Sequence, residues 1–162
     1  MKIIVLYIFS FFVVTHIVAQ KNIKTNWQAQ WIGEDSPSIP NTFFKYRYSF
    51  TQNEIPTKAM ASIATDSKYW LYINEKLVVF EGQLKRGLTP DDTYYDEVNI
   101  QPFLQKGNNT IAILVWYWGK EGFCHKSSGK AGLLFEAAID NKIITSNAEW
   151  KTAQHLSYQN TV

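Results

Sequence analysis

From Ile111 onward the chain alternates between two apolar faces. Ile111, Ile113, Val115 and Tyr117 fall on one side, and Ala112, Leu114, Trp116 and Trp118 on the other. A strand that is apolar on both faces is a central one, covered at least in part from both sides. Gly107-Asn108 before it and Gly119 after it supply the breaks. Phe43 to Thr51 alternates more strictly. Phe44, Tyr46, Tyr48 and Phe50 share one face, and Lys45, Arg47 and Ser49 share the other. This is the pattern of a half-buried antiparallel strand; a helix would scatter those aromatics around its circumference.

The remaining segments read the same way. Trp27 to Gly33 fits a short edge strand and Ala59 to Ala64 a strand of small residues, followed by a turn at Thr65 to Lys68. Tyr69 to Ile73 and Leu77 to Phe80 flank Asn74-Glu75-Lys76 as a hairpin, because Asn tolerates the positive φ of a tight turn. Tyr95 to Ile100 is a brief strand, and Pro102 to Gly107 a short helical turn with Pro early and Gly at its end. Gly132 to Ile139, Ile143-Ile144 and Glu149 to Lys151 complete the set. With about eight or nine short strands, no long amphipathic helix and no repeat, the expected fold is all-β: a single antiparallel β-sandwich, most simply a jelly roll.

Composition adds a compartment and removes one class of partner. The chain has 162 residues, 46% hydrophobic and 19% charged, with a formal net charge of +2. That is a globular composition, and no basic run suggests nucleic acid. Lys2, then an apolar stretch from Ile3 to Val14, then Ile17-Val18-Ala19, has the order of a secretory signal peptide over residues 1–19. The apolar stretch falls short of the roughly 20 residues a membrane span prefers. The mature protein is therefore expected to be secreted or periplasmic and free of the membrane after cleavage. Cys124 alone excludes an internal disulfide, and its neighbour His125 does not make it a nucleophile, since adjacent residues seldom face each other. The expected organisation is a signal peptide at 1–19, a sandwich at 20–151, and a tail or linker at 152–162.

Several stretches resemble a known family. Asp66-Ser67-Lys68-Tyr69-Trp70-Leu71-Tyr72-Ile73-Asn74 resembles the aspartate, Tyr-led strand and Asn turn of the galactose-binding-like sandwiches attached to glycosidases. Tyr95-Asp96-Glu97-Val98-Asn99-Ile100, Phe103-Leu104 and Gly107-Asn108-Asn109-Thr110-Ile111-Ala112 extend the likeness. Gly82-Gln83-Leu84-Lys85-Arg86-Gly87 and Ser127-Ser128-Gly129-Lys130-Ala131-Gly132 are similar to the N-terminal region of bacterial α-L-rhamnosidases and related six-hairpin glycosidases. Glu75 departs from the pattern, which usually has Gly after the Asn, and a longer turn is expected there. The resemblance implies a catalytic (α/α) barrel, carrying the acid and base, beyond Val162; the chain is then the front end of a larger protein or a fragment.

Two groups of residues carry candidate chemistry. Trp116, Tyr117 and Trp118 offer flat rings on which the C–H face of a sugar stacks, although the same rings suit burial under a loop or a neighbouring domain. Asp91, Asp92, Asp96 and Glu97 place four carboxylates in one short segment, the ligand type calcium needs, although a solvated acidic turn has the same composition. Ser127 to Lys130 is not a phosphate loop, because Cys124 and Ala131 stand where that motif needs Gly and Ser or Thr. His125 and His155 have no companions in sequence for a metal site. The expected function is a non-catalytic carbohydrate-associated module of an α-L-rhamnosidase-like glycoside hydrolase, with a plant-type glycan or rhamnoside, and the catalytic domain of the same parent, as partners. The alternatives are a structural spacer without a ligand, or part of another glycosidase such as a β-galactosidase-like enzyme. Mass spectrometry of exported protein should find Gln20 at the amino terminus; an intact Met1 in the mature pool contradicts cleavage.

Overall fold

The computed structural model describes residues 26–33, 38–84, 93–123 and 125–158. The stretch read as a signal peptide, Cys124, and Asp91 and Asp92 lie outside them. Ten strands follow in chain order: β1 (Ile32–Gly33), β2 (Thr42–Gln52), β3 (Ala59–Thr65), β4 (Lys68–Ile73), β5 (Lys76–Gly82), β6 (Asp96–Asn99), β7 (Gly107–Tyr117), β8 (Gly132–Ile139), β9 (Lys142–Thr145) and β10 (Lys151–Gln154). A 3-10 turn, Gln101–Phe103, stands where the Pro-led helical turn is expected. The strands form two five-stranded antiparallel sheets. The front sheet has the order β10-β2-β7-β4-β5, and the back sheet β1-β8-β3-β6 with β9 also on β8. The chain crosses repeatedly between the two sheets, and the fold is the antiparallel sandwich expected from the alternation.

The core lies between the sheets and is built from alternate positions. Phe44, Tyr46 and Phe50 of β2, the odd positions Ile111 to Tyr117 of β7, and Tyr69, Leu71 and Ile73 of β4 face Ala61 and Ile63 of β3 and Leu133, Phe135, Ala137 and Ile139 of β8. Val115 and Ile111 are fully buried. The register is uninterrupted along β2 and β7, from Thr42↔Tyr117 to Gln52↔Gly107. A one-residue slip would turn this whole apolar set toward water, so burial fixes the register.

The edges depart from the sequence reading in three places, each for a physical reason. Only Ile32–Gly33 of the Trp27 to Gly33 segment joins the ladder, pairing with β8. The amides of Gln28 and Ala29 instead donate to the Glu136 carboxylate at 2.7 and 3.1 Å, and Gln30 exchanges bonds with Ser146. A buried acid on the outward face of β8 thus takes the place of a neighbouring strand for this backbone.

The Asn74-Glu75 turn, expected to be long because Gly is missing, is a two-residue turn closed by Ile73↔Lys76. Asn74 and Glu75 both adopt positive φ, 50° and 68°. Tertiary bonds hold it there. Asn74 accepts from the Thr110 amide at 2.9 Å and donates to the Phe103 carbonyl and to Asn109 Oδ1. Asn109, fully buried, also accepts from Gln105 N and donates to the carbonyls of Gln105 and Gly107.

At the other end, Lys151–Gln154 pairs with β2 and carries the sheet beyond the expected boundary at 151. All four residues are exposed, so the strand has no apolar alternation by which to be read.

Val115→Asp should cost at least about 3 kcal/mol by placing an unpaired charge in the core, enough to unfold the domain. Glu75→Gly should raise stability by about 0.5–1 kcal/mol by relieving the left-handed backbone. Urea denaturation of the two variants checks both; equal effects would contradict the placement of β7 or of the turn.

Candidate functional site

The outward face of the front sheet is set by the same register that builds the core. Positions that alternate with the buried ones form three rows across β10, β2, β7 and β4. The first row is Lys151, Arg47, Ala112, Tyr72, and the second is Ala153, Lys45, Leu114, Trp70. In the third, Phe43, Trp116 and Lys68 lie side by side. Strands spaced about 4.8 Å apart put the cations of β2 and β10 on one side and the rings of β4 on the other, with Ala112 and Leu114 as the floor between them. Ala112 is small, and this keeps the floor low. The result is a groove of about 620 Å³, lined by Lys45, Arg47, Tyr72, Ala112, Leu114, Lys151, Ala153, His155 and Tyr158 among others. That volume lies in the range of small-molecule sites.

Aromatic rings wall this face. Phe43 stacks on Trp116 at 6.1 Å and on Tyr158 at 4.2 Å, and Trp70 meets Phe43 at 6.3 Å and Phe80 edge-on at 6.3 Å. Trp116 is anchored by its Nε1, which donates to Asn41 Oδ1 at 2.9 Å, and Lys68 Nζ stands 5.9 Å from its ring centre. Phe80 is 69% exposed, and the rings of this face are half-buried or more open, so apolar surface is presented to solvent as one patch.

The opposite kind of site lies where the β3–β4 turn meets the loop after β7. Asp66 and Ser67 are buried there, and Ser67 has a φ of 97°. Asp66 Oδ2 accepts from the Ser128 amide at 2.7 Å and from the Ser128 hydroxyl. Its Oδ1 lies 3.2 Å from Nε2 of the buried His125, whose Nδ1 bonds the Leu84 carbonyl at 2.9 Å. Ser67 Oγ accepts from the Trp118 amide at 3.0 Å. Nearby, the buried Tyr69 hydroxyl donates to Asp96 at 2.8 Å, and the Gln83 amide donates to the same carboxylate oxygen. Burial, reinforced by the Asp96 charge and hydrogen bond, pushes the Tyr69 phenol well above its ordinary pKa, so it remains a donor. Gly82 passes directly against that ring: a Cβ on it would lie 2.3 Å from Tyr69 Cζ. These contacts tie the loops together.

The sequence-nominated rings are divided between these places. Trp116 lies on the aromatic wall beside the groove. Trp118 lies just past the end of β7 and packs against His125 at 5.7 Å and against Gly122, so it does not share a platform with Trp116. Tyr117 is 2% exposed and faces the core, which removes its ring from any contact with a sugar. Of the proposed calcium ligands, Asp91 and Asp92 lie outside the described residues. Asp96 and Glu97 are consecutive in β6 and so point to opposite faces, and Asp96 is engaged by Tyr69 and Gln83. Among the described residues no three His, Cys, Asp or Glu side chains are grouped to hold a metal ion. In sequence, Lys45 and Arg47 fall on a solvent face and Lys151 at the expected edge of the domain. The signal for the groove was the row Phe43, Lys45, Arg47, an aromatic that continues a basic face.

No family model matches the chain, and no curated protein matches it. Solved structures do. Over 81% of its length the chain is similar, at 32% identity and a TM-score of 0.70, to 14% of the GH78 family rhamnosidase of Bacillus sp. GL1. The chain matches one domain-sized part of the α-L-rhamnosidases. The Streptomyces avermitilis α-L-rhamnosidase, solved with L-rhamnose, shares the fold at 22% identity and a TM-score of 0.62, over 80% of this chain and 12% of that one. A Pleurotus ostreatus lectin does so at 23% identity and 0.56, over 78% and 35%. The chain therefore spans about one seventh of the length of the first of these enzymes. The loops that carried the resemblance in sequence are the ones that meet Tyr69 and Asp66: Gly82 and Gln83 in one, Ser128 in the other.

Asp66→Asn should lower stability by about 1–3 kcal/mol, because the amide presents donors where Ser128 also donates. Gly82→Ala should cost a similar amount by overpacking against Tyr69. Thermal denaturation measures both; unchanged midpoints would contradict the structural role given to this end of the sandwich.

Proposed function

We propose that the chain is a non-catalytic, carbohydrate-associated module of a secreted α-L-rhamnosidase-like glycoside hydrolase, and that it contacts saccharide through the outward face of its front sheet. The observation that carries this reading is the match at 32% identity to a small part of a rhamnosidase, over most of this chain. Correspondence to about one seventh of such an enzyme supports a role beside the catalytic one. The aromatic wall of Phe43, Trp70 and Trp116 beside an open groove supplies what a sugar ring needs, a flat apolar surface next to hydrogen-bond donors.

The carboxylates support the non-catalytic part. Glycoside hydrolysis ordinarily uses two carboxyl groups facing each other across a scissile bond. Here Glu136 receives the amides of Gln28 and Ala29, Asp66 receives Ser128, Asp96 receives Tyr69 and Gln83, and Glu121 pairs with Lys126 at 3.0 Å. Among the described residues no acidic side chain lines the groove.

A glycan array probed with the purified chain should give signal on plant-type oligosaccharides, rhamnosyl glycans among them, and Trp116→Ala should diminish it with the fold retained. An aryl-α-L-rhamnoside should not be turned over. Silence on the array would favour a spacer without a ligand, and turnover would overturn the non-catalytic role.

A further inference from the structure

The groove has a charge pattern that neither sheet pairing nor solubility requires. Lys151 lies directly opposite Arg47 in the β10–β2 register, and Lys45 projects from the same face two residues away. Like charges placed directly across a pair of strands destabilise that pair. All three cations are exposed, and among the described residues none is engaged in an ion pair. Glu81 on the edge strand β5 is itself held by Lys68 at 2.7 Å. A local arrangement that works against stability without an internal remedy marks a place where function has set the residue types.

We propose that the groove is a subsite for an acidic saccharide, a glycan bearing uronic acid carboxylates; this rests on the reading of the outward face as the saccharide-contacting surface. The carboxylate of a uronosyl unit would lie against Arg47 and Lys151, where the planar guanidinium takes both oxygens and the ammonium adds a point charge. Lys45 lies within reach of the next unit along β2. The sugar ring covers the low floor at Ala112 and Leu114 and meets Tyr72 on the opposite wall, about two strand spacings from Arg47. Charge complementarity selects the acidic saccharide over a neutral one: a neutral glycan would fill the groove and leave the three cations repelling one another. The rings select a saccharide over an acidic peptide, because a flat apolar wall complements the C–H face of a pyranose.

The test is calorimetric titration of the purified chain with three probes: an oligomer of galacturonic acid, the same oligomer reduced at its carboxyl groups, and poly-L-glutamate of similar charge. The uronate oligomer should bind at least about tenfold more tightly than either of the others, and more weakly as sodium chloride rises from about 50 to about 500 mM. Arg47→Gln with Lys45→Gln should abolish the preference for uronate over its reduced form, with the thermal midpoint unchanged or raised. If that variant fails to fold, Lys151→Gln and the salt series on the unaltered chain decide the same point. Equal binding of the uronate and reduced oligomers overturns the acidic subsite and leaves the saccharide-contacting face standing. Binding of poly-L-glutamate as tight as that of the uronate overturns the saccharide identity. Absence of binding by both oligomers overturns the subsite and counts against the reading on which it rests.

Discussion

Burial of the odd-numbered face of β7 is the constraint on which the rest depends. Ile111, Ile113, Val115 and Tyr117 are at most 2% exposed, and β2 and β4 flank them in a register that no bulge interrupts on the β2 side. Once that face is fixed inward, every neighbouring residue of the front sheet has its direction assigned. Lys45 and Arg47 must point outward because Phe44 and Tyr46 point inward. Trp70 and Tyr72 must join them because Tyr69 and Leu71 are buried. The groove is thus a geometric consequence of the core, and its rows stand on a rigid sheet instead of on mobile loops.

The two ends of the sandwich solve a different problem. Turns there bring buried backbone groups together without a ladder to pair them, and side chains supply the missing partners. Asn74 and Asn109 do this at the β4–β5 turn, and Asp66, Ser67 and Ser128 do it where the β3–β4 turn meets the loop after β7. An exposed counterpart ties Thr57 and Lys58 to Asp140 after β8. There the hydroxyl of Thr57 and the amide of Lys58 hold the Asp140 carboxyl below the usual carboxylate range. These residues are polar and lie in turns, so in sequence they look like solvent-facing loop. In space they hold the loops against the core.

This difference explains what could be read from the chain. Alternation reports which face of a strand is buried, so β2, β4, β7 and β8 were legible, and with them the sandwich. Trp27 to Ala29 misled because Glu136, more than a hundred residues away, takes the place of a strand. β10 was missed because an exposed edge strand has no apolar face to reveal it. Trp116 was found, yet grouped with Tyr117 and Trp118 by adjacency, although alternation sends Tyr117 to the core and the end of β7 releases Trp118 toward His125. Lys151 could not be joined to Arg47 from sequence at all, because only the β10–β2 register brings them side by side.

The groove and the loop end at Asp66 are at separate places in the molecule, which makes the position of a ligand directly observable. Amide chemical-shift mapping during titration with an oligouronate should move signals of Lys45 to Arg47, Ala112 to Leu114, Trp70 to Tyr72 and Lys151 to Ala153, and leave Trp118, His125 and Ser127 to Gly129 in place. Shifts confined to Trp118, His125 and Ser127 to Gly129 would place the ligand at the loop end and contradict the assignment of the front-sheet face as the binding surface.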